Sequence, residues 1–362
     1  GPDATSAPHT TGGSVRLGSG GDRDGRRYGA AHGRDGIGMR AALHVAYGPP
    51  ELLRVGEVPA PVAGEGELLI CVHCTTANRT DAGFLRGRPF VTRFFSGLLR
   101  PRHVALGCAF AGEVAAVGPG VTRFAVGDRV LGFDDGRFGA HAEYKVLHQD
   151  RAVARIPADV PYEVAAASTE GGHYALCNIR AAGIGRGDRV LVHGATGAIG
   201  SAAVQLLVHL GADVVATSTT RDSALVASLG ARRVVDHEHT DFTACGEQFR
   251  VVFDAVGKSS FAVCRPLLAK RGIYLSTDLG RWCQNPLLAL LGPLLRRVGA
   301  RRVMFPIPRT SPEIIEYLAD RLANGDFAPV VDRVHPLDEI VEAFHRVETG
   351  QKTGNVVIRV RT

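Results

Sequence analysis

The chain has 362 residues, 45% of them apolar and 22% charged, with a formal net charge of +6. That much apolar side chain can bury a large core, and the length suits two domains. The mild charge argues against DNA or RNA as a partner, and no apolar run is long enough to make a transmembrane segment.

Residues 1–38 are rich in Gly, Arg, Asp, Ser and Thr and lack periodicity, so they read as a disordered leader. The Gly1-Pro2 start reads as a protease scar, no secretory signal is visible, and Met39 reads as a native start. Five Arg stand against four Asp in the leader, so most of the net charge belongs to the remainder. Seven cysteines, an odd number scattered over the length, suggest reduced thiols and a cytoplasmic location. From residue 40 to about 160 the chain is rich in Val and Gly, with turn signals about every ten residues, such as Gly118-Pro119-Gly120. That is a β-rich, partly barrel-like pattern.

Strands and helices then alternate from about 161 to 300. Within this stretch, residues 189–211 read RVLVHGATGAIGSAAVQLLVHLG. A buried-strand run is followed by a turn carrying Gly194, Gly197 and Gly200, then by a helix with apolar residues three and four apart. Strand, glycine turn and helix in that order form a phosphate-binding unit, because the turn lets backbone approach a pyrophosphate and the helix N-terminus offers free N–H groups. Gly194, Ala195, Thr196, Gly197, Ala198, Ile199 and Gly200 are therefore the candidate dinucleotide cradle. The next strand, 213–217, ends at Ser218, Thr219, Thr220 and Arg221, with no carboxylate to bind the ribose hydroxyls of NAD. Ser218, Thr219 and Arg221 suit a 2′-phosphate, and NADPH is the expected cofactor; the bland alternative is that Arg221 is a solvated helix-start residue. Further strands are expected at 251–257, whose closing turn with Val256 lies near the cofactor, and at 273–277. From 311 the pattern is helix, strand near 330–334, helix, and a final strand at 355–360.

Several pieces occur together in a familiar order: YGPPELL, ANRTDAGFLRG, GEVAAVGPGVTRFAVGDRV, GAHAEY, GATGAIGSAAVQL, FDAVG and TGNVVIRV. On these the chain from 39 to 362 resembles the medium-chain dehydrogenase/reductase superfamily, in its zinc-independent, zeta-crystallin-like quinone oxidoreductase branch. The resemblance implies an α/β fold in which a Rossmann dinucleotide-binding domain (161–309) is inserted in a β-rich GroES-like catalytic domain (39–160 plus 310–362). It also implies a homodimer and hydride transfer from NADPH to a small lipophilic quinone or enone. Val256 and Asn355 join the expected cofactor contacts.

Zinc-dependent relatives place a Cys where this chain has Asn78, and a Gly-His-Glu segment where it has Gly107-Cys108-Ala109. One thiol survives where a catalytic zinc wants three ligands, so no metal is expected. Cys71 and Cys74 form a CxxC, but in a strand-like run without a second pair, which reads as packing. Without a Lewis acid, conjugated acceptors are the easier substrates, and the Asn78 amide, at the family position beside the nicotinamide, can hydrogen-bond the oxygen that gains charge. Its alternative role is to cap a loop. Asp81 and Arg86 are expected to hold this segment as an internal ion pair.

A proton donor is harder to place. Some enoyl reductases carry a Tyr after the glycine that matches Gly87, but here Arg88, Pro89 and Phe90 follow. His173 and Tyr174 are the candidates, with packing as the alternative for His173 and solvent as an alternative proton source. Glu170 could serve at the same helix start or lie exposed there. The apolar and Arg-rich stretch 281–309, with Phe90, Phe94 and Phe95, is expected to line the cleft or a subunit contact. Two other functions stay open: a dedicated tailoring reductase of a biosynthetic intermediate, and a cofactor-binding protein with little turnover, crystallin-like or RNA-binding.

Overall fold

The computed structural model describes residues 38–90, 92–280, 284–290 and 301–361. The leader and much of the expected specificity stretch, including Leu291, Leu294, Leu295, Arg296 and Arg297, lie outside the described residues.

Two sheets dominate. The first is mixed and has the order β14-β15-β3-β4-β5-β7, with β6 paired to β3. Its strands are β3 (Glu67–Ala77), β4 (Ala109–Val117), β5 (Arg129–Phe133), β6 (Tyr144–His148), β7 (Val153–Arg155), β14 (Val331–Pro336) and β15 (Asn355–Arg359). Strands from both ends of the sequence thus share one sheet: Val356 to Arg359 pair antiparallel with Ala77 to Cys74. In β3 the alternation of inward and half-buried residues closes the core around Leu68, Ile70 and Val72. Cys74 is buried and Cys71 half-buried on this strand, and both are free thiols. A separate hairpin pairs β1 (Gly38–Leu43) with β2 (Arg54–Pro59).

The second sheet is parallel, in the order β10-β9-β8-β11-β12-β13. It comprises β8 (Arg189–His193), β9 (Asp213–Ser218), β10 (Arg233–Asp236), β11 (Phe249–Asp254), β12 (Leu268–Ser276) and β13 (Arg302–Met304). Its inner strands are buried on both faces, hence the continuous apolar runs of β8 and β11. The order in which successive strands are added reverses between β8 and β11. Ligands in such sheets bind at that switch point, outside the carboxyl ends of the strands.

The helices that position the site are α1 (Arg79–Arg86), α2 (Tyr162–Ala182), α3 (Ala198–His209), α4 (Pro312–Ala323) and α5 (Ile340–Glu348). α2 lies between the sheets, touching β3, β4, β15 and α3. Small residues permit this approach: a Cβ on Gly171 would stand 2.5 Å from the Ala198 carbonyl oxygen, and one on Gly172 would stand 2.8 Å from Leu318. No helix among the described residues is long and apolar enough to cross a membrane.

Candidate active site

The glycine turn leaves β8 at the switch point, and its three glycines are there for different reasons. Gly194 has φ +81°, a left-handed conformation that favours glycine, and a Cβ would strike Val256 at 2.5 Å. A Cβ on Gly200 would lie 2.1 Å from the Gly194 carbonyl oxygen, so helix and turn touch backbone to backbone. Gly197 differs: its φ is −75°, and nothing lies closer to its Cβ position than 3.8 Å. The protein does not itself need a glycine at 197. The open space above it, at the uncapped N-terminus of α3, fits the pyrophosphate of a dinucleotide. Ala195 is buried, its N–H donating to the Thr217 carbonyl, while Thr196, Ala198 and Ile199 stay half-buried around the opening. The Gly354 N–H donates to the Thr196 carbonyl at 2.7 Å, docking the segment before β15 onto the turn.

The surroundings of the end of β9 are more acidic than its own residues suggest. Ser218 bonds Ser223, and the Thr219 hydroxyl donates to Asp222 at 3.0 Å. Asp222 also holds Arg221 at 3.2 Å and the Thr353 hydroxyl, so its oxygens are engaged and it aims the guanidinium. Arg221 remains exposed. Asp236, from the end of β10, accepts from Thr220 and His239, and these hydrogen bonds hold its carboxyl down at about 2.

Asn78 caps α1 through Oδ1, which accepts from the Asp81 N–H at 2.8 Å. Its Nδ2 is buried, makes no hydrogen bond of good geometry, and lies near the Glu170 carboxyl, whose ionised form it favours. The capping alternative is therefore the role the structure shows for the Asn78 oxygen. Arg79 follows and reaches across to the second sheet, donating to the Val256 carbonyl at 2.9 Å and facing Asp278 at 3.5 Å. This contact sets the Asn78 segment beside the turns after β8 and β11.

The expected Asp81–Arg86 ion pair does not form. Asp81 is fully buried and accepts at Oδ1 from the Gly107 N–H (3.1 Å) and Cys108 Sγ (3.7 Å), while Arg86 points the other way to Glu348 on α5. On a helix, residues five apart lie on different faces, which explains the separation. Burial and the nearby Glu170 charge push Asp81 well above the usual carboxylate range.

His173 is fully buried, stacked on Phe133 with ring centroids 4.7 Å apart, and burial lowers its pKa to about 4. At neutral pH it is an uncharged packing ring. Tyr174 is half-buried, and burial raises its pKa well above the usual phenol value, so its hydroxyl stays protonated. Asn355 is engaged structurally, its Nδ2 donating to the Val330 carbonyl at 2.9 Å.

Glu170 is 6% exposed, and its Oε1 accepts from the Thr80 hydroxyl at 3.0 Å. Burial raises it to about 7, against the Thr80 hydrogen bond and the Lys352 charge. Lys352 is lowered to about 8 by burial, and its ammonium donates to the Gly354 carbonyl. The sequence signal for a buried Glu170 was its place in a run of small residues, AAASTEGG, where a solvated face has no room. Nothing in the sequence marked Lys352, which owes its position to the docking of Gly354.

Among the described residues, no group of three or more His, Cys, Asp or Glu is arranged to hold a metal ion. Of the two positions that match zinc ligands in relatives, Asn78 caps a helix. The Cys108 thiol is pushed well above its usual pKa by burial and by Asp81, which makes it a poor ligand.

Phe90 and Phe94 are 59% and 63% exposed; the Phe95 side chain lies outside the described residues. A helix at Gln284–Leu290 exposes Leu287 and Leu290 while burying Asn285, which donates to the Ser276 hydroxyl.

Known proteins match this geometry. Residues 64–158 match the alcohol dehydrogenase GroES-like domain family, and residues 229–358 match the zinc-binding dehydrogenase family. The 2-methylene-furan-3-one reductase of Solanum lycopersicum is 30% identical over 332 residues, covering 88% of this chain and 79% of the relative. The chain is a medium-chain dehydrogenase/reductase. Within that superfamily it belongs to the zinc-independent, quinone oxidoreductase-like branch: the structure of the Coxiella burnetii quinone oxidoreductase superposes with a TM-score of 0.80 at 26% identity, over 90% of this chain and all of that one. A mycobacterial protein solved in complex with NADPH superposes at 0.72 with 28% identity, over 89% of this chain and all of that one. Membership makes the chain an oxidoreductase that takes a nicotinamide dinucleotide, and the Gly197 opening is where the fold would hold its pyrophosphate.

Proposed function

We propose that this dehydrogenase/reductase uses NADPH to reduce a small lipophilic quinone or α,β-unsaturated carbonyl compound. The carrying observation is Asn78: a buried amide nitrogen that makes no hydrogen bond of good geometry and has only the Glu170 carboxyl near it, beside the glycine turn. A buried donor short of a good acceptor costs about 1–3 kcal/mol, and a ligand oxygen would complete it. When bound, the reduced dinucleotide supplies the hydride. The α3 N-terminus at Gly197 takes the pyrophosphate, with Ala195, Thr196, Ala198, Ile199 and Val256 around it, and Asn355 anchors the flanking strand. Thr219 and Arg221 face the 2′-phosphate, with Asp222 orienting the guanidinium; Ser218 is buried and bonded to Ser223 and the Thr219 carbonyl, so it supports this turn from behind. Asn78 Nδ2 donates to the acceptor oxygen as charge develops there, and Tyr174 borders that oxygen as a neutral hydroxyl. His173 keeps the wall of this pocket packed.

The names of the tomato and Coxiella relatives support the substrate class, and the NADPH complex of the mycobacterial relative supports the cofactor. A cytoplasmic homodimer belongs to the same reading. The test follows dinucleotide oxidation by absorbance, with a naphthoquinone and a simple enone as acceptors and NADPH or NADH as donor. Turnover with NADPH, slow with NADH and much reduced in Asn78→Ala, is expected. Preference for NADH would overturn the cofactor assignment. NADPH binding without turnover on any acceptor would favour the low-turnover alternative.

A further inference from the structure

Two carboxyl groups are enclosed where four pieces of chain meet. α1 brings Thr80 and Asp81, the entry to β4 brings Cys108, α2 brings Glu170 and Tyr174, and the segment docked on the glycine turn brings Lys352. Asp81 is wholly buried. Its Oδ1 has two donors, but Oδ2 has none. An ionised carboxylate with a bare buried oxygen is strongly disfavoured, and a neutral acid is not. Glu170 differs in being met by Thr80 at hydrogen-bond distance, by the Lys352 charge and by the Asn78 amide, all of which favour its ionised form. Asp135, beyond β5, is a further carboxyl facing it, and its own pKa is raised by burial. The Cys108 thiol and Tyr174 hydroxyl nearby stay protonated, while Arg79 and Arg346 act on Lys352 from outside. Glu170 thus sits near balance between its two forms, and Thr80, half-buried, connects it outward.

We propose that Glu170 is the exchangeable acid of this site: beside a protonated Asp81, it delivers a proton through the Thr80 hydroxyl to reduced product and recovers it from solvent. This rests on the reductase reading above. After the acceptor has gained a hydride it is an enolate or hydroquinone anion. The Glu170 O–H bond breaks as its proton passes to Thr80 oxygen, and the Thr80 proton passes to the product's carbon or oxygen. The two electrons come from the dinucleotide, and no further oxidant or reductant is involved. The carboxylate left behind is held by the Thr80 hydrogen bond and by Lys352 until water reprotonates it. Glu170 acts through Thr80 and so is a positioning residue for the proton.

The test uses Glu170→Gln, which keeps the volume and the Thr80 contact but cannot ionise, together with Thr80→Val. Infrared difference spectra of the protein without substrate should show a protonated-carboxyl band that fades as pH rises through about 7. Glu170→Gln should remove that band and leave a second, pH-insensitive one from Asp81. In turnover, wild type should slow above that pH with a solvent deuterium effect. Glu170→Gln should be about 100-fold slower, flat in pH and without the deuterium effect, at unchanged NADPH affinity. Thr80→Val should slow turnover and keep the band, with its titration moved to higher pH because a donor to the carboxylate is lost. No titrating band in wild type, a titrating band that survives in Glu170→Gln, or an unchanged pH profile in that variant would overturn the proposal. If wild type binds NADPH but turns over no acceptor, the reductase reading fails and the band still decides whether Glu170 is the exchangeable acid.

Discussion

Gly197 and Gly200 lie three residues apart in one turn, and alanine at each should have opposite consequences. At 200 the added methyl would stand 2.1 Å from the Gly194 carbonyl oxygen and 2.9 Å from Ala195 Cα, all backbone that cannot swing aside. Overpacking of this kind costs about 1–3 kcal/mol or more. At about 2–4 °C per kcal/mol, that lowers the Tm of the ligand-free protein by several degrees. At 197 the nearest atom is 3.8 Å away and φ is an ordinary −75°. Loss of conformational freedom in the unfolded chain favours Gly197→Ala by about 0.4–1 kcal/mol, and the poorer helix cap opposes it by a similar amount. Its ligand-free Tm should therefore stay within about 2 °C of wild type. The methyl instead occupies the approach to the α3 N-terminus. Displacing one charge-assisted hydrogen bond of about 1.5–3 kcal/mol weakens dinucleotide binding roughly 10- to 150-fold. Scanning calorimetry without ligand and NADPH fluorescence titration separate the two effects. Wild-type affinity in Gly197→Ala would refute the placement of the pyrophosphate. A large Tm loss there would show that the open space has a packing role.

Arg221→Ala should raise the KM for NADPH about tenfold, more at low salt than at high, and leave that for NADH unchanged; equal effects on both would remove Arg221 from the 2′-phosphate. Because burial raises Glu170, its ionisation opposes folding: stability should fall as pH rises from about 4.5 to 7 and then level off. Glu170→Gln should remove up to about 3 kcal/mol of that slope, read by urea unfolding at pH 5 and 8. Asp134 is the reverse case: burial would raise its carboxyl, but the Lys145 ammonium 2.9 Å away wins and holds it low. The stability it contributes is complete above about pH 4 and lost as pH falls through its lowered pKa, and Asp134→Asn, which strands the buried Lys145 charge, should cost about 3–5 kcal/mol at pH 7. Asp254→Ala removes the acceptor of three turn N–H groups and of the buried Tyr274 hydroxyl. It should cost about 3 kcal/mol or more by urea unfolding, and a loss below 1 kcal/mol would show that these donors find other partners.

Local periodicity determined much of this protein. The buried runs of β8, β9 and β11, the three glycines and the amphipathic α4 and α5 were all set by residues within a few positions of one another. The absence of a carboxylate at 218–221 was equally local. Only the tertiary structure decided what depends on chain brought from far away. Asp81 finds Gly107 rather than Arg86, Arg86 finds Glu348, Arg221 finds Thr353, and the Lys352 charge acts on Glu170 because Gly354 pairs with Thr196. The ionisation of Glu170, Asp81 and His173 belongs to that second group. A side chain's pKa follows the water it loses and the charges it meets on folding, and those are properties of packed neighbours rather than of sequence spacing.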